Sequence, residues 1–210
     1  MGRIVLATES TMTTPSSGDV RLTPLSGTKR FTSIDDAGLT LSIPHLTNCN
    51  TADVVASAAD TYLTGSSISV PTHKLQAKTM FKWRFAMTKS AAGVAAPIWR
   101  VRIGTAGSTS DAAILTFTQV ALQTAVVDTG IVEITAILRN TGAAGILAGS
   151  LSLLHVLAIT GFSTLGENIM QVNSAGFDTT VANLIVGVSV NPGASGVWTH
   201  QLVMVEAFNL

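Results

Sequence analysis

From Thr79 onward, apolar and polar residues alternate with a period of two, the pattern of a strand with one buried face and not of a helix. In Phe81 to Lys89 the odd positions Phe81, Trp83, Phe85 and Met87 are apolar, while the even positions are Lys82, Arg84, Ala86 and Thr88. Residues 98–103 repeat it, with Trp99, Val101 and Ile103 set against Arg100 and Arg102. Further strands are predicted over 112–119, 131–139, 147–158, 168–172, 182–190 and 197–208. Glycine-containing breaks separate most of them, including Asn140 to Gly145 and Asn191-Pro192-Gly193. Eight strands with no helix between them predict an all-β domain: an eight-stranded antiparallel β-sandwich, jelly-roll-like.

Composition shifts twice ahead of this domain. Residues 1–45 are rich in Thr, Ser and Pro, and their short apolar pieces around tight turns predict a small N-terminal β-hairpin segment. Such a meander is marginal alone and needs something to fold against, which makes 1–45 a candidate docking and anchoring segment. Residues 46–70 read as a linker in which Thr51 to Tyr62 forms a short helix, with Thr51 as N-cap and Asp53 in the first turn. The β-sandwich then occupies 71–210.

Charge is the second constraint. Only 11% of residues are charged, against about 25% in an ordinary soluble protein. By area scaling a monomer of 21.7 kDa exposes roughly 9,200 Å², or about one charge per 380 Å². Average composition gives about one per 180 Å². A surface this bare implies that a membrane or other subunits cover part of it. No run approaches the roughly 18 apolar residues of a membrane-spanning helix, and a secretory h-region is missing at the N-terminus. Protein–protein burial is therefore expected, and no membrane partner.

The strands around Leu151, Leu153, Leu154, Val156 and Leu157, and around Leu184 to Val190, carry apolar residues on both faces. One face belongs in the sandwich; a flanking copy of the chain is the simplest cover for the other. Leu151, Leu153, His155, Leu157, Ile185 and His200 are the candidate subunit-interface residues, with His155 or His200 placed to line a symmetry axis.

The chain has a formal net charge of zero and no Lys or Arg after Arg139, so nucleic acid is not an expected partner. One cysteine, Cys49, leaves neither an internal disulfide nor a cysteine-based zinc site. The four histidines show no metal-binding spacing, and GxSxG, GxGxxG and phosphate-loop motifs are missing. The aspartates at 35–36, 111, 128 and 178 sit in predicted turns, where they cap backbone amides. No catalytic, cofactor or metal residues are assigned, and a non-enzymatic protein is expected. Trp83 and Trp99 share the apolar register and are expected in the core, whereas Trp198 is the most open of the three tryptophans.

Two stretches resemble known proteins. TPSSGDVRLTPLSGTKRFTSIDDAG, Thr14 to Gly38, is similar to a short N-terminal segment that recurs in tailed-bacteriophage virion proteins, on fibres and appendages. Pro15, Gly18, Val20, Arg21, Leu22, Asp36 and Gly38 match its pattern, Phe31 stands where an aromatic is usual, and Lys29-Arg30 departs from it. The second stretch, within Asp60 to Thr118 and including FKWRFAMTKSAAGVAAPIWRVRIGTAGSTSDAAILTFT, looks like the opening of a β-domain of phage structural and fibre proteins. The resemblance implies a homotrimeric virion appendage. Its docking residues would be Pro15, Val20, Arg21, Leu22, Phe31, Asp36 and Gly38, its partners itself and other proteins of the capsid or tail. A glycan-recognising fibre tip binding the host surface is the alternative, which would present aromatic and amide side chains on its loops. The loops 91–96, 105–111 and 140–148 offer mainly Ala, Gly, Ser and Thr.

Overall fold

The computed structural model describes residues 21–24, 31–34, 40–42, 46–70, 75–165 and 168–210. Among them there is no helix. Three short strands, β1 (Arg21–Pro24), β2 (Phe31–Ile34) and β3 (Thr40–Ser42), form a separate antiparallel sheet in the order β1-β2-β3. Arg21 pairs with Ile34 and Pro24 with Phe31.

The main body is an antiparallel sandwich. Four short strands come first: β4 (Leu46–Cys49), β5 (Val54–Ser57), β6 (Thr61–Tyr62) and β7 (Ile68–Ser69). Eight longer ones follow: β8 (Met80–Lys89), β9 (Ile98–Gly104), β10 (Ala112–Thr118), β11 (Asp128–Asn140), β12 (Ile146–His155), β13 (Asn168–Asn173), β14 (Ile185–Asn191) and β15 (Val197–Phe208). The large sheet runs β13-β12-β11-β8-β15-β4, with β5 also on β15; the small sheet runs β10-β9-β14-β6, with β7 also on β14. Among the described residues the sandwich therefore has twelve strands where eight were predicted; residues 46–70 add four, and the eight beyond residue 79 are those read from the sequence. The first of these lies beside the last and the second beside the seventh, the nested pairing of a jelly roll. β9 and β10 stay in one sheet as a hairpin, and β11 to β13 form a meander in the other.

Residues 46–70 correct the sequence reading. The segment predicted as a helix forms β5 and β6 instead, so the stretch supplies edge strands to both sheets. The pattern TADVVASAADTY has too little helical periodicity to compete with the open edge of β15, whose backbone groups need partners. Asn50, between β4 and β5, shows the fit. Its side-chain carbonyl accepts from Val203 N at 2.8 Å and its amide donates to the Gln201 carbonyl at 3.2 Å. It thereby fills the irregularity between His200 and Leu202 in β15. That bulge shifts the inward register from even residues (Trp198, His200) to odd ones (Val203, Val205, Ala207), all buried.

The core lies between the sheets. Phe81, Trp83, Phe85 and Met87 of β8 face Trp99 and Val101 of β9 and Val186, Val188 and Val190 of β14, all buried. Phe85 stacks on Trp99 at 5.3 Å and Trp99 sits 5.7 Å from Trp198. Trp198, expected to be the most open tryptophan, is fully buried and donates its indole N–H to Gln123 Oε1 at 3.0 Å. The turn of its strand start is overruled by the loop that crosses above it.

Candidate functional site at one end of the sandwich

Two segments cross the end of the sandwich where β8 finishes and β11 begins, one passing between the sheets and one turning back within the large sheet. The segment 119–127 carries the chain from β10 in the small sheet to β11 in the large one, and 156–167 leads from β12 to β13. They are stitched together. Thr124 N donates to the Gly161 carbonyl at 2.9 Å and Thr164 N to the Leu122 carbonyl at 3.0 Å. Gly161 N donates back to Thr124 Oγ1 at 2.6 Å, and the Gln119 amide holds the Phe162 carbonyl at 2.9 Å.

Beneath them lie three buried ionisable groups. Lys89 continues the inward odd register of β8 and is 1% exposed. Its ammonium donates to the carbonyls of Ala92 and Thr124, both at 2.8 Å, and of Ser90 at 3.1 Å. Burial pulls the Lys89 ammonium below its ordinary value, while the Asp128 carboxylate pulls the other way. Asp128 accepts from Phe162 N at 3.0 Å, Leu157 N at 3.3 Å and Thr129 N at 2.8 Å. His155 Nδ1 lies 2.8 Å from Asp128 Oδ2, both side chains fully enclosed. A Cβ on Gly161, whose φ is +79°, would come within 2.2 Å of the same carboxylate, so the turn admits only glycine. One cation and one anion thus tie both crossings to the strand ends, and every charge is used up inside.

What these crossings show to solvent is aliphatic. Val120 is 87% exposed and Val156 76%; Leu122, Val127, Ile159 and Leu165 are also exposed. Leu154 and Ile169 extend the surface onto the outer face of β12 and β13. Among the described residues the two crossings carry no exposed ionisable side chain. Glu167, the one charged residue in either crossing's sequence, lies outside the described residues.

The predicted interface residues fall differently. Leu151, Leu153 and His200 are buried in the chain's own core and His155 is enclosed against Asp128, so none of the four faces another subunit. In β12 the inward leucines are 147, 151 and 153, and the leucine left exposed is Leu154. Leu157 and Ile185 are half-buried. His200 packs edge-on to Phe85 and Trp99, with Nδ1 3.1 Å from the Val54 carbonyl. Of the predicted docking residues, Arg21 and Leu22 are in β1 and Phe31 in β2; Pro15, Val20, Asp36 and Gly38 lie outside the described residues. Sequence reasoning missed the 119–127 crossing. The signal was present: Val120-Ala121-Leu122 and Ala125-Val126-Val127 are apolar residues between strands with no strand to belong to.

A second polar cluster covers the outer face of the small sheet. Arg102 donates through Nε to Ser189 Oγ at 2.7 Å and also bonds the Asp60 carboxylate. Arg100 lies 3.2 Å from Asp60. Tyr62 crosses over Gly187, where a Cβ would come 1.9 Å from its hydroxyl. Burial, ahead of the Asp111 charge, pushes that hydroxyl up to about 12. The cluster fastens the 58–62 segment to β9 and β14. Among the described residues no group of three or more His, Cys, Asp or Glu is placed to hold a metal ion.

Neither protein-family models nor curated proteins give a match to this chain. Among solved structures, a protein of unknown function from Shewanella oneidensis MR-1 is similar over 82% of this chain and 91% of its own, at 11% identity and a TM-score of 0.39. The CBM2 module of the evolved Dit of Lactobacillus casei BL23 phage J-1 is similar over 79% and 98%, at 8% identity and a TM-score of 0.32. A legume lectin-like domain from Entamoeba histolytica follows at 76% and 90%, 8% identity and 0.25. Likenesses this distant carry no weight on function.

Proposed function

We propose that the chain is a non-enzymatic structural protein of a bacteriophage particle, a homotrimeric decoration or short-fibre protein attached to the capsid or tail by its N-terminal segment. The uncharged aliphatic end of the sandwich carries this reading. A chain with few charges has spent two of them, Lys89 and Asp128, on holding two crossings in place while leaving their aliphatic side chains in water. That arrangement is reasonable for a surface built to be covered by protein. The Thr14 to Gly38 resemblance supplies the particle, and the small β1–β3 sheet supplies a unit of the size that folds against a neighbour. Against a glycan-binding tip, Trp83, Trp99 and Trp198 are all fully buried, so none offers a sugar-stacking face.

The test compares particles assembled with the full chain and with a chain lacking residues 1–45. The shortened protein should remain β-rich by circular dichroism and trimeric by light scattering, yet be absent from purified particles. Incorporation of the shortened chain would remove the docking role of 1–45. A full-length chain that never co-purifies with particles would remove the virion assignment itself.

A further inference from the structure

We infer that the aliphatic end formed by 119–127 and 156–165 is where copies of this chain meet, the crossings packing around a symmetry axis. This deepens the homotrimer reading above and rests on it, since it names the contact surface.

The first reason is area. Val120, Leu122, Val127, Val156, Ile159 and Leu165, with Leu154 and Ile169 beside them, are all exposed aliphatics. At those fractional exposures the eight residues together leave on the order of 800 Å² in contact with water. That exceeds the ~300–600 Å² of the largest apolar patch on a typical monomer. It matches the ~800 Å² that each partner gives to a standard interface.

Charge is the second. Close to a rotation axis a residue meets its own copies, so an ionised group there meets like charge at short range. A self-contact therefore needs a neutral centre, and among the described residues this patch is one: Lys89, Asp128 and His155 are withdrawn beneath it and paired. A partner of different sequence would tolerate or use charges here. Elsewhere the surface keeps them, as in the Arg84–Glu133 pair on the outer face of the large sheet.

Preorganisation is the third. The crossings are fastened by backbone hydrogen bonds to one another and by Lys89 and Asp128 to the strands, so little ordering remains to be done on contact. A lipid surface fits less well. Among the described residues the patch has no exposed Lys or Arg to meet anionic headgroups and no exposed aromatic at its rim; Phe162 is buried.

Sedimentation equilibrium on the full chain tests this, with Val156→Asp, Val156→Lys and Ile159→Asp as patch variants and Val181→Asp as the control. Val181 is exposed at the opposite end of the sandwich. All three positions are exposed in the single chain, so folding should survive, as circular dichroism will show. The wild type and Val181→Asp should sediment at three times the chain mass. Each patch variant should sediment as a monomer, its association weakened at least ~100-fold, because either sign of charge would be buried against its own copies. Patch variants that stay trimeric would overturn the inference and leave the homotrimer standing on another surface. A monomeric wild type would overturn both. Loss of association with Asp but not with Lys would show a partner of negative charge and would also overturn it, as would a monomer that floats with phosphatidylcholine vesicles.

Discussion

At the residue scale the most telling side chain is His200. It is fully enclosed by aromatic rings and gives one hydrogen bond, to the Val54 carbonyl. Burial pushes it down to about 4, outweighing the Val54 hydrogen bond that favours the charged form. Between about 4 and the ordinary 6.5 the unfolded chain binds a proton that the folded chain refuses. Stability is therefore full above that window and is lost as pH falls through it, by about 3 kcal/mol in all. Urea denaturation at several pH values between 7 and 4.5 measures this slope. His200→Asn, which keeps a donor near Val54 but does not titrate, should be less stable at pH 7 and should lose this part of the slope. An undiminished slope in the variant would assign the acid sensitivity to other groups.

Lys89 and Asp128 act at the element scale, because each holds a crossing and not merely a neighbour. Replacing Lys89 with Met keeps the length of the stem and removes the donors to Ser90, Ala92 and Thr124. Buried carbonyls left without donors cost about 1–3 kcal/mol each, so a total loss of roughly 3 kcal/mol or more is expected. The location of the damage is the sharper test. Amide hydrogen exchange should speed up over 119–127 and 156–165, while β8 and β11 stay protected. Uniform loss of protection would mean that Lys89 supports the whole core. The bulge in β15 is an element-scale device too: Asn50 satisfies the backbone that the extra residue leaves unpaired, and so couples the β4–β5 connection to the register of the C-terminal strand.

For the whole molecule, the scarcity of charge has a directional consequence. An interface centred on aliphatic side chains, with its ionised groups buried and paired beneath it, has little to lose to screening. Raising NaCl from 0.1 to 1 M should leave the oligomer intact, and sulfate should strengthen it. Dissociation by NaCl would mean that ion pairs hold the subunits together.

Much of the sandwich is legible in the sequence because strand periodicity is local. β8 can be read from Phe81, Trp83, Phe85 and Met87, and the eight long strands follow from alternation and glycine breaks. The same locality explains the errors. Residues 54–57 and 61–62 have no strong period, and only the free edges of β15 and β14, far along the chain, make them strands. Leu151 and Leu153 could be assigned to an outer face because a strand's apolar residues do not say which side the second sheet will take. Lys89 was visible at an inward position but had no reason to be buried until the carbonyl of Thr124 arrived above it. The sequence by itself determined that the chain would be an antiparallel β-structure with too few charges to cover it. Which residues those few charges hold, and which aliphatic side chains are consequently left facing water, was decided by tertiary structure, since both depend on crossings that bring together groups 27 or more positions apart.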